Sequence, residues 1–328
     1  MERKLKVFNY AWHLGHQFEL MKLPFLEWTW LIQYHRQYSP MARGDFFKGN
    51  MVIDYEPGKY DFALLHLDQQ CFEQGLWERG KGSLYRELNE VITDIPKIVI
   101  MHGTPHYPEM FESQQELVEI FKREIGDNWI IFNSHTAQKQ WGFENSPKAT
   151  TIWHGLDPTE WYDLPKEPRV VTMISPGGLD SYYDRNFLQA TRESLEEEGI
   201  NHCHITVDFI ANTTEDYKQF LGRSLLYFNP TRESPMPRSR TEAMLSGCCV
   251  LTTANQDAET YFKDKENGII VPRDPQKVTE LVKYYIKHYD EAIKIGQAGK
   301  ETALELFSKE RYQQDWKNWL EKVLNIKL

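Results

Sequence analysis

One segment in the second half of the chain constrains its fold more than any other. Residues 224–253 read SLLYFNPTRESPMPRSRTEAMLSGCCVLTT. An apolar strand, Leu225–Phe228, leads into a charged loop; a short helix is expected from about Thr241 to Gly247, and a second apolar strand, Cys248–Leu251, follows at once. This is half of a nucleotide-binding α/β unit, in which ligands bind where loops leave the carboxyl ends of parallel strands. The charged residues lie in the loop and the expected first helical turn, where unpaired backbone N–H groups favour anions.

Short apolar strands alternate with helical stretches along the rest of the chain, which predicts parallel sheets covered by helices. The 328 residues exceed what one common core usually holds and suit two domains. A polar, proline-containing linker is expected at Asp157–Pro168. The predicted strands are Lys6–Tyr10, Phe62–His66, Ile98–Met101, Trp129–Asn133, Thr150–Trp153, Val170–Ile174, Ile205–Ile210, Leu225–Phe228, Cys248–Leu251 and Gly268–Val271.

Composition excludes some classes of function. The net charge of −10 argues against a protein whose main task is to bind a nucleic-acid backbone, which relies on a basic surface. No apolar run is long enough for a transmembrane helix, and no secretory signal is visible at the start of the sequence. The four cysteines form no CxxC pair, which favours a reducing, cytoplasmic setting and argues against a structural zinc.

The motif Glu242–Gly247, followed by the apolar Cys249–Leu251, resembles the nucleotide-sugar site of retaining GT-B glycosyltransferases, the group called family 4. The resemblance implies an α/β fold of two Rossmann-like, doubly wound domains that face each other across a cleft, with a C-terminal helix crossing back to the first domain. The expected divisions are an acceptor-side domain at 1–160, a nucleotide-sugar-binding domain at 161–308 and the returning helix at 309–328.

In this family, the residue that matches Glu242 accepts hydrogen bonds from the ribose hydroxyls. On the residues alone, Glu242 also fits a carboxylate that merely complements a helix dipole. The family's first acidic residue stands eight positions earlier, at Ser234, whereas Glu233 stands nine positions earlier. Either the loop has one extra residue and Glu233 faces the donor sugar, or that acidic role is lost. The backbone N–H groups of Ser234 and Met236 are expected to contact sugar hydroxyls or phosphate.

The diphosphate needs positive charge, and the arginine side chain suits phosphate oxygens because its N–H groups bind them in pairs. The family's Gly-Arg pair is absent from 175–186. Arg185 is a candidate replacement or else a surface arginine, and Gly177 would let the backbone approach phosphate. Arg238 and Arg240 are further candidates, of which Arg238 is preferred as the catalytic cation.

Histidines follow several strands predicted for the first domain. The family often has a histidine at the position of His102, where it faces the donor sugar; packing within the loop is the alternative. His66 and Asp68 follow another strand and are candidates for the acceptor site, together with His13. Gly15 stands where the family has a glycine-rich turn near the diphosphate. Three such loops permit a metal site, but no HExxH motif supports one.

The resulting hypothesis is a metal-independent, retaining glycosyltransferase without a cofactor, which moves a hexose from a nucleoside-diphosphate sugar to a hydroxyl of a glycan, protein or small molecule. The alternatives are a catalytically silent GT-B scaffold that acts as a binding or partner subunit, and transfer to a modified nucleic-acid base. The aromatic stretch Phe25–Ile32 has a helical spacing that would place Trp28, Leu31 and Ile32 on one face. That face fits a core, an acceptor platform or a peripheral membrane contact.

Overall fold

The structure is a computed structural model. The residues it describes are 3–32, 49–72, 81–106, 112–175, 182–208 and 210–328. The chain divides into two compact units, the first formed by residues 1–154 with 312–328 and the second by residues 155–311. Each unit contains one parallel β-sheet covered by helices.

The sheet of the first unit has the strand order β3-β2-β1-β4-β5-β6-β7, and all its strands run parallel. The strand order reverses between β1 and β4, and in such sheets ligands bind at this switch point, outside the carboxyl ends of the strands. The strands are β1 (Leu5–Asn9), β2 (Leu26–Leu31), β3 (Asn50–Val52), β4 (Phe62–Leu67), β5 (Lys97–Met101), β6 (Trp129–Phe132) and β7 (Ala149–Thr151).

The sheet of the second unit has the order β12-β11-β10-β8-β9 and is also parallel throughout. Its switch point lies between β8 and β10, which are neighbours. The strands are β8 (Glu167–Thr172), β9 (His202–His204), β10 (Ser224–Asn229), β11 (Cys249–Thr253) and β12 (Ile269–Val271). The expected α/β class with two Rossmann-like sheets is therefore confirmed.

Helices connect the strands in both units. Those of the first unit are α1 (Leu14–Leu20), α2 (Lys81–Val91), α3 (Gln114–Ile125) and α4 (His135–Gln140). Those that follow along the chain are α5 (Arg185–Glu197), α6 (Thr214–Gly222), α7 (Arg238–Leu245), α8 (Ala258–Tyr261), α9 (Pro275–Lys287), α10 (Tyr289–Leu306) and α11 (Lys309–Leu324). Within the described residues, no helix is both long and apolar enough to span a bilayer.

The last helix, α11, returns to the first unit, as expected. Its buried side chains join those of β1, β2, β4 and α1 in the core on one face of the first sheet, while the other face is covered from α2 to α4. The side chains that α11 contributes to this core are Tyr312, Trp316, Trp319, Leu320 and Val323.

The start of α11 is tied to the segment that opens the second unit. The Leu156 N–H donates to the Phe307 carbonyl at 2.9 Å. The Asp157 carboxylate accepts a hydrogen bond from Lys309 Nζ at 2.6 Å and from Thr159 N at 3.0 Å. Burial alone would raise the Asp157 pKa, but these hydrogen bonds lower the pKa to about 2.

Two local predictions were wrong. The stretch that contains Trp28 and Trp30 forms strand β2, because it pairs with β1 on one side and β3 on the other. The two indole rings stack on one face with centroids 5.5 Å apart, as residues two positions apart do on a strand. In place of the strand expected at Ile205–Ile210, the structure has the short strand β9, which ends at His204. Turns begin directly after His204, whose N–H donates to the Asp208 carboxylate at 2.7 Å.

Candidate functional site

Histidine side chains gather at the switch point of the first sheet. His66 lies in β4, and His102 follows β5. These two strands are neighbours in the sheet. The ring of His102 lies 5.2 Å from that of His66, 4.9 Å from that of His16 and 4.8 Å from that of His13, between centroids. Three of the predicted residues, His102, His66 and His13, therefore share one cluster.

A chain of hydrogen bonds holds the two buried rings of this cluster. His66 Nδ1 lies 3.0 Å from His102 Nε2, and His66 Nε2 lies 2.8 Å from Asn9 Oδ1. The Tyr10 hydroxyl accepts from the His66 backbone N–H at 2.7 Å and donates to the His66 carbonyl at 2.8 Å. Burial, together with the nearby His16 and His13, lowers the pKa of His66 well below its usual value, so the ring is neutral.

The remaining candidates of the first unit border this cluster. Asp68 is fully buried, with its Oδ2 3.8 Å from Nε2 of His13, whose side chain is 44 % exposed. The Asp68 carboxylate also accepts from the Cys71 thiol at 3.6 Å. Gly15 is the second residue of α1, so the turn expected there is helical.

In the second unit, Glu242 is buried in α7, and both of its carboxylate oxygens accept hydrogen bonds. Oε1 accepts from Arg238 Nε at 2.7 Å, and Oε2 accepts from the Tyr217 hydroxyl at 2.6 Å. A carboxylate oxygen has two lone-pair sites, so each can accept more than one hydrogen bond.

Helix α7 begins at Arg238, earlier than predicted. Pro237 stands at its N-cap, with a φ of −62° that suits the entry into a helix. Glu242 therefore lies in the second turn, one turn after Arg238, and the first-turn position belongs to the arginine. The helix ends before Gly247, as predicted, where a φ of +70° favours glycine.

The loop between β10 and α7 carries the other expected donor contacts. The Glu233 N–H donates to the Tyr182 carbonyl at 2.9 Å, and its side chain is partly exposed. The Ser234 carbonyl accepts from Asn255 Nδ2 at 2.7 Å, and Met236 is buried. Gly177 lies outside the described residues.

The arginines divide into two groups. Arg240 is buried and hydrogen-bonded to the Tyr261 hydroxyl, and its guanidinium carbon lies 5.7 Å from the Phe262 ring centroid. The prediction that Arg240 could bind phosphate is therefore wrong, because its guanidinium group is buried in the core. Arg185 and Arg238 are instead the first residues of α5 and α7, which begin after the neighbouring strands β8 and β10.

Sequence reasoning missed several residues that shape these sites. Asn9 ends β1 as a buried polar side chain, which is itself a signal at a switch point. Tyr217 lies on another helix and gives no local signal. Arg273 follows β12 and lies near the loop after β10; it donates to the Thr231 carbonyl at 2.6 Å and to Asp184, the N-cap of α5, at 3.2 Å.

The four cysteines are buried, and no disulfide bond joins any of them. Among the described residues, no group of three or more His, Cys, Asp or Glu side chains is arranged to hold a metal ion.

Residues 185–321 match the family described as glycosyl transferase-like. The chain finds no match among the curated proteins. Among solved structures, it is similar to Anabaena HepE in complex with UDP and glucose, with 14% identity, a TM-score of 0.69, and coverage of 97% of this chain and 99% of that one. Sucrose-phosphate synthase from Thermosynechococcus elongatus gives 11% identity and a TM-score of 0.65, with 98% and 100% covered. A glycosyltransferase from Rickettsia africae gives 13% identity and 0.64, with 98% and 99% covered.

The two parallel sheets, the returning C-terminal helix and the likeness to these structures define the fold as GT-B. The family match, which covers most of the second unit, and this fold together support the class of glycosyltransferases.

Proposed function

We propose that the protein transfers a hexose from a UDP-sugar to an acceptor hydroxyl, without a metal ion and with retention of the anomeric configuration. The observation that carries the proposal is the Arg238–Glu242 pair in the first two turns of α7, which follows the loop after β10, inside the region of the family match. Uridine is the proposed base because HepE has been solved with UDP and with UDP-glucose. Retention rests on the likeness of Glu242–Gly247 to the motif of retaining enzymes.

In the second unit, the proposed donor contacts follow from charge and position. Glu242 accepts hydrogen bonds from the ribose hydroxyls, since a carboxylate oxygen can accept more than one. Arg238 and Arg185 neutralise the leaving diphosphate, a task that a metal ion performs in other enzymes, and the N-termini of α5 and α7 add their own positive ends. Glu233 and the backbone of Ser234 and Met236 contact the sugar.

In the first unit, the histidine cluster is proposed to bind substrate hydroxyls. His102 orients a reacting sugar, and partly exposed His13, beside Asp68, contacts the acceptor, which is a glycan, a protein or a small molecule. Gly15 allows a close approach of the backbone. The four buried cysteines form no disulfide, which is the reason for placing this activity in the reducing cytoplasm.

The test is thermal unfolding of the whole chain with UDP, GDP, ADP and TDP, and with the corresponding sugars, without metal and then with Mg²⁺. A ligand at 100 times its Kd stabilises the folded state by about 2.7 kcal/mol. We expect UDP to raise Tm without metal, and Glu242→Gln to abolish the shift. Glu280→Gln, the same change at an exposed position of α9, should keep the shift.

Donor hydrolysis and product stereochemistry complete the test. Release of UDP from a UDP-hexose, with an α-linked product from an α-linked donor, supports the proposal. Failure of every nucleotide to shift Tm would instead favour a silent scaffold, and salt-sensitive binding of DNA would favour a nucleic-acid acceptor.

A further inference from the structure

We propose that His66 is a positioning residue that fixes His102 in a single tautomer, with the hydrogen on Nε2 directed to His66 and a lone pair on Nδ1. The identity of the substrate hydroxyl that meets this lone pair rests on the proposed transferase function. The tautomer itself rests only on contacts within the first unit.

The direction of the hydrogen-bond chain is set at Asn9. The backbone N–H of Tyr10 donates to Asn9 Oδ1 at 2.8 Å, and a backbone N–H donates only. The acceptor is therefore the amide oxygen, which fixes the orientation of the amide group. His66 Nε2, 2.8 Å from the same oxygen, must carry a hydrogen and donate it.

His66 then has one ring nitrogen left. The ring is fully buried, and the charges that disfavour its protonation are those of His13 and His16, while His102 is in contact and Tyr10 packs against its edge. These surroundings disfavour a second proton on the ring, so Nδ1 carries a lone pair. Two contacts hold His66 in this position. The Tyr10 hydroxyl forms hydrogen bonds with the backbone of His66, and the Trp12 indole lies parallel to the His66 ring with centroids 6.1 Å apart.

The consequence passes to His102 through the 3.0 Å contact between His66 Nδ1 and His102 Nε2. Since His66 Nδ1 accepts, His102 Nε2 must donate. In its neutral form His102 then has its lone pair on Nδ1, and this atom accepts a hydrogen bond from a substrate hydroxyl. The buried ring of His66, which is separated from the substrate by two hydrogen bonds, thus determines which nitrogen of His102 contacts the substrate.

The direct test is long-range ¹H–¹⁵N correlation NMR on the full chain labelled in histidine, at a pH where the rings are neutral. His66→Gln and His102→Gln assign the two signals by their loss. We expect both rings in the Nε2–H tautomer. An Nδ1–H tautomer for either ring overturns the proposal, and this measurement on the unaltered protein does not depend on the folding of a variant.

Asn9→Asp tests the positioning role. The carboxylate still accepts from Tyr10 N and His66 Nε2, but its charge favours the protonated form of His66, which then donates from both nitrogens. His102 Nε2 must now accept, so its hydrogen moves to Nδ1. We expect the His102 signal to change tautomer and kcat to fall about 10²-fold with KM nearly unchanged.

Asn133→Asp is the matched control, because Asn133 follows β6 in the same sheet and the change adds the same charge. It should leave the tautomer and kcat as they are. An Asn9→Asp variant with a changed tautomer and unchanged kcat overturns the positioning role. If no UDP-sugar is ever used, the proposed function fails, while the NMR result still decides the tautomer.

Discussion

Glu242 illustrates how one residue organises a charged site. One carboxylate oxygen accepts a hydrogen bond from Arg238 Nε, and the other accepts one from the Tyr217 hydroxyl. The carboxylate therefore orients the guanidinium group of Arg238 and is itself oriented by Tyr217. A buried carboxylate without such partners would pay a large desolvation cost. The pair therefore delivers a positioned cation to the first turn of α7.

Tyr217→Phe removes only the hydroxyl that donates to Glu242. Because the acceptor is a buried carboxylate, we expect the free energy of unfolding to fall by about 1.5–3 kcal/mol, measured by urea denaturation. Tyr162→Phe is the control, since its hydroxyl donates to Glu215 at 3.2 Å at the surface, and its loss should cost less than about 0.5 kcal/mol. Equal losses in the two variants would contradict a special role for Tyr217.

The sequence allowed some of these residues to be found and concealed others for a physical reason. Glu242 begins the motif that carries the resemblance and Arg238 lies four positions before it, so both could be found from one local segment. Tyr217 and Asn9 act across 25 and 57 positions of the chain, to Glu242 and to His66. Only the folded sheet brings such residues together, and Arg240, next to the motif, was misassigned because its burial depends on distant aromatic rings.

At the scale of elements, helix starts were harder to predict than strands. Most strands were recognised because each contains a short apolar run, whereas β2, β3 and β9 were missed. For α7, the polar Arg238 and Ser239 suggested a loop, but Pro237 fixes the backbone for helix entry and the arginines are good helix formers. For β2, the helical spacing of its aromatic residues was coincidental, and pairing with β1 decided the outcome.

The contact between Asp157 and the start of α11 should give a pH-dependent contribution to stability. The folded pKa of about 2 lies below the usual value of about 3.9, so the contribution is present above about pH 4 and is lost as the pH falls towards 2. Asp157→Asn should cost about 1 kcal/mol at pH 7, and urea denaturation should show this difference shrinking below pH 4.

Asp127→Asn provides the comparison for that change. Asp127 is paired with Lys148 at 2.6 Å, as Asp157 is with Lys309, but its side chain is 97 % exposed whereas that of Asp157 is 16 % exposed. We expect no measurable loss of stability at any pH. A loss of stability as large as that of Asp157→Asn would mean that partial burial does not strengthen the ion pair between Asp157 and Lys309.

At the scale of the whole molecule, the parallel α/β sheets followed from the sequence because alternating strands and helices are a local signal repeated many times, whereas the GT-B fold was expected from the resemblance. The histidine cluster was predicted only as separate loops, because strand order, which brings β1 beside β4, is not written in any one segment. The return of α11 was expected from resemblance alone.

Trp316→Ala tests the dependence of the first unit on that helix. Removing this buried indole should lower the free energy of unfolding by about 3–5 kcal/mol. Hydrogen-exchange mass spectrometry should show faster exchange in β1 and β2, with β8 and β10 unchanged. Gln314→Ala, on the exposed side of α11, should change neither. Equal acceleration in both sheets would contradict this division.

The dependence of the first sheet on Trp316 and its neighbours has a consequence for the way the chain is made on the ribosome. When Met1–His154 have emerged, one face of their sheet still lacks the helix that covers it. The whole of Gly155–Arg311 is synthesised before that helix is complete, which takes roughly 10–30 s at about 5–20 residues per second. All residues of the second unit are therefore synthesised before the first unit receives its last helix, so the second unit can complete its fold first. Until then, the uncovered face of the first sheet is an apolar surface to which chaperones can bind.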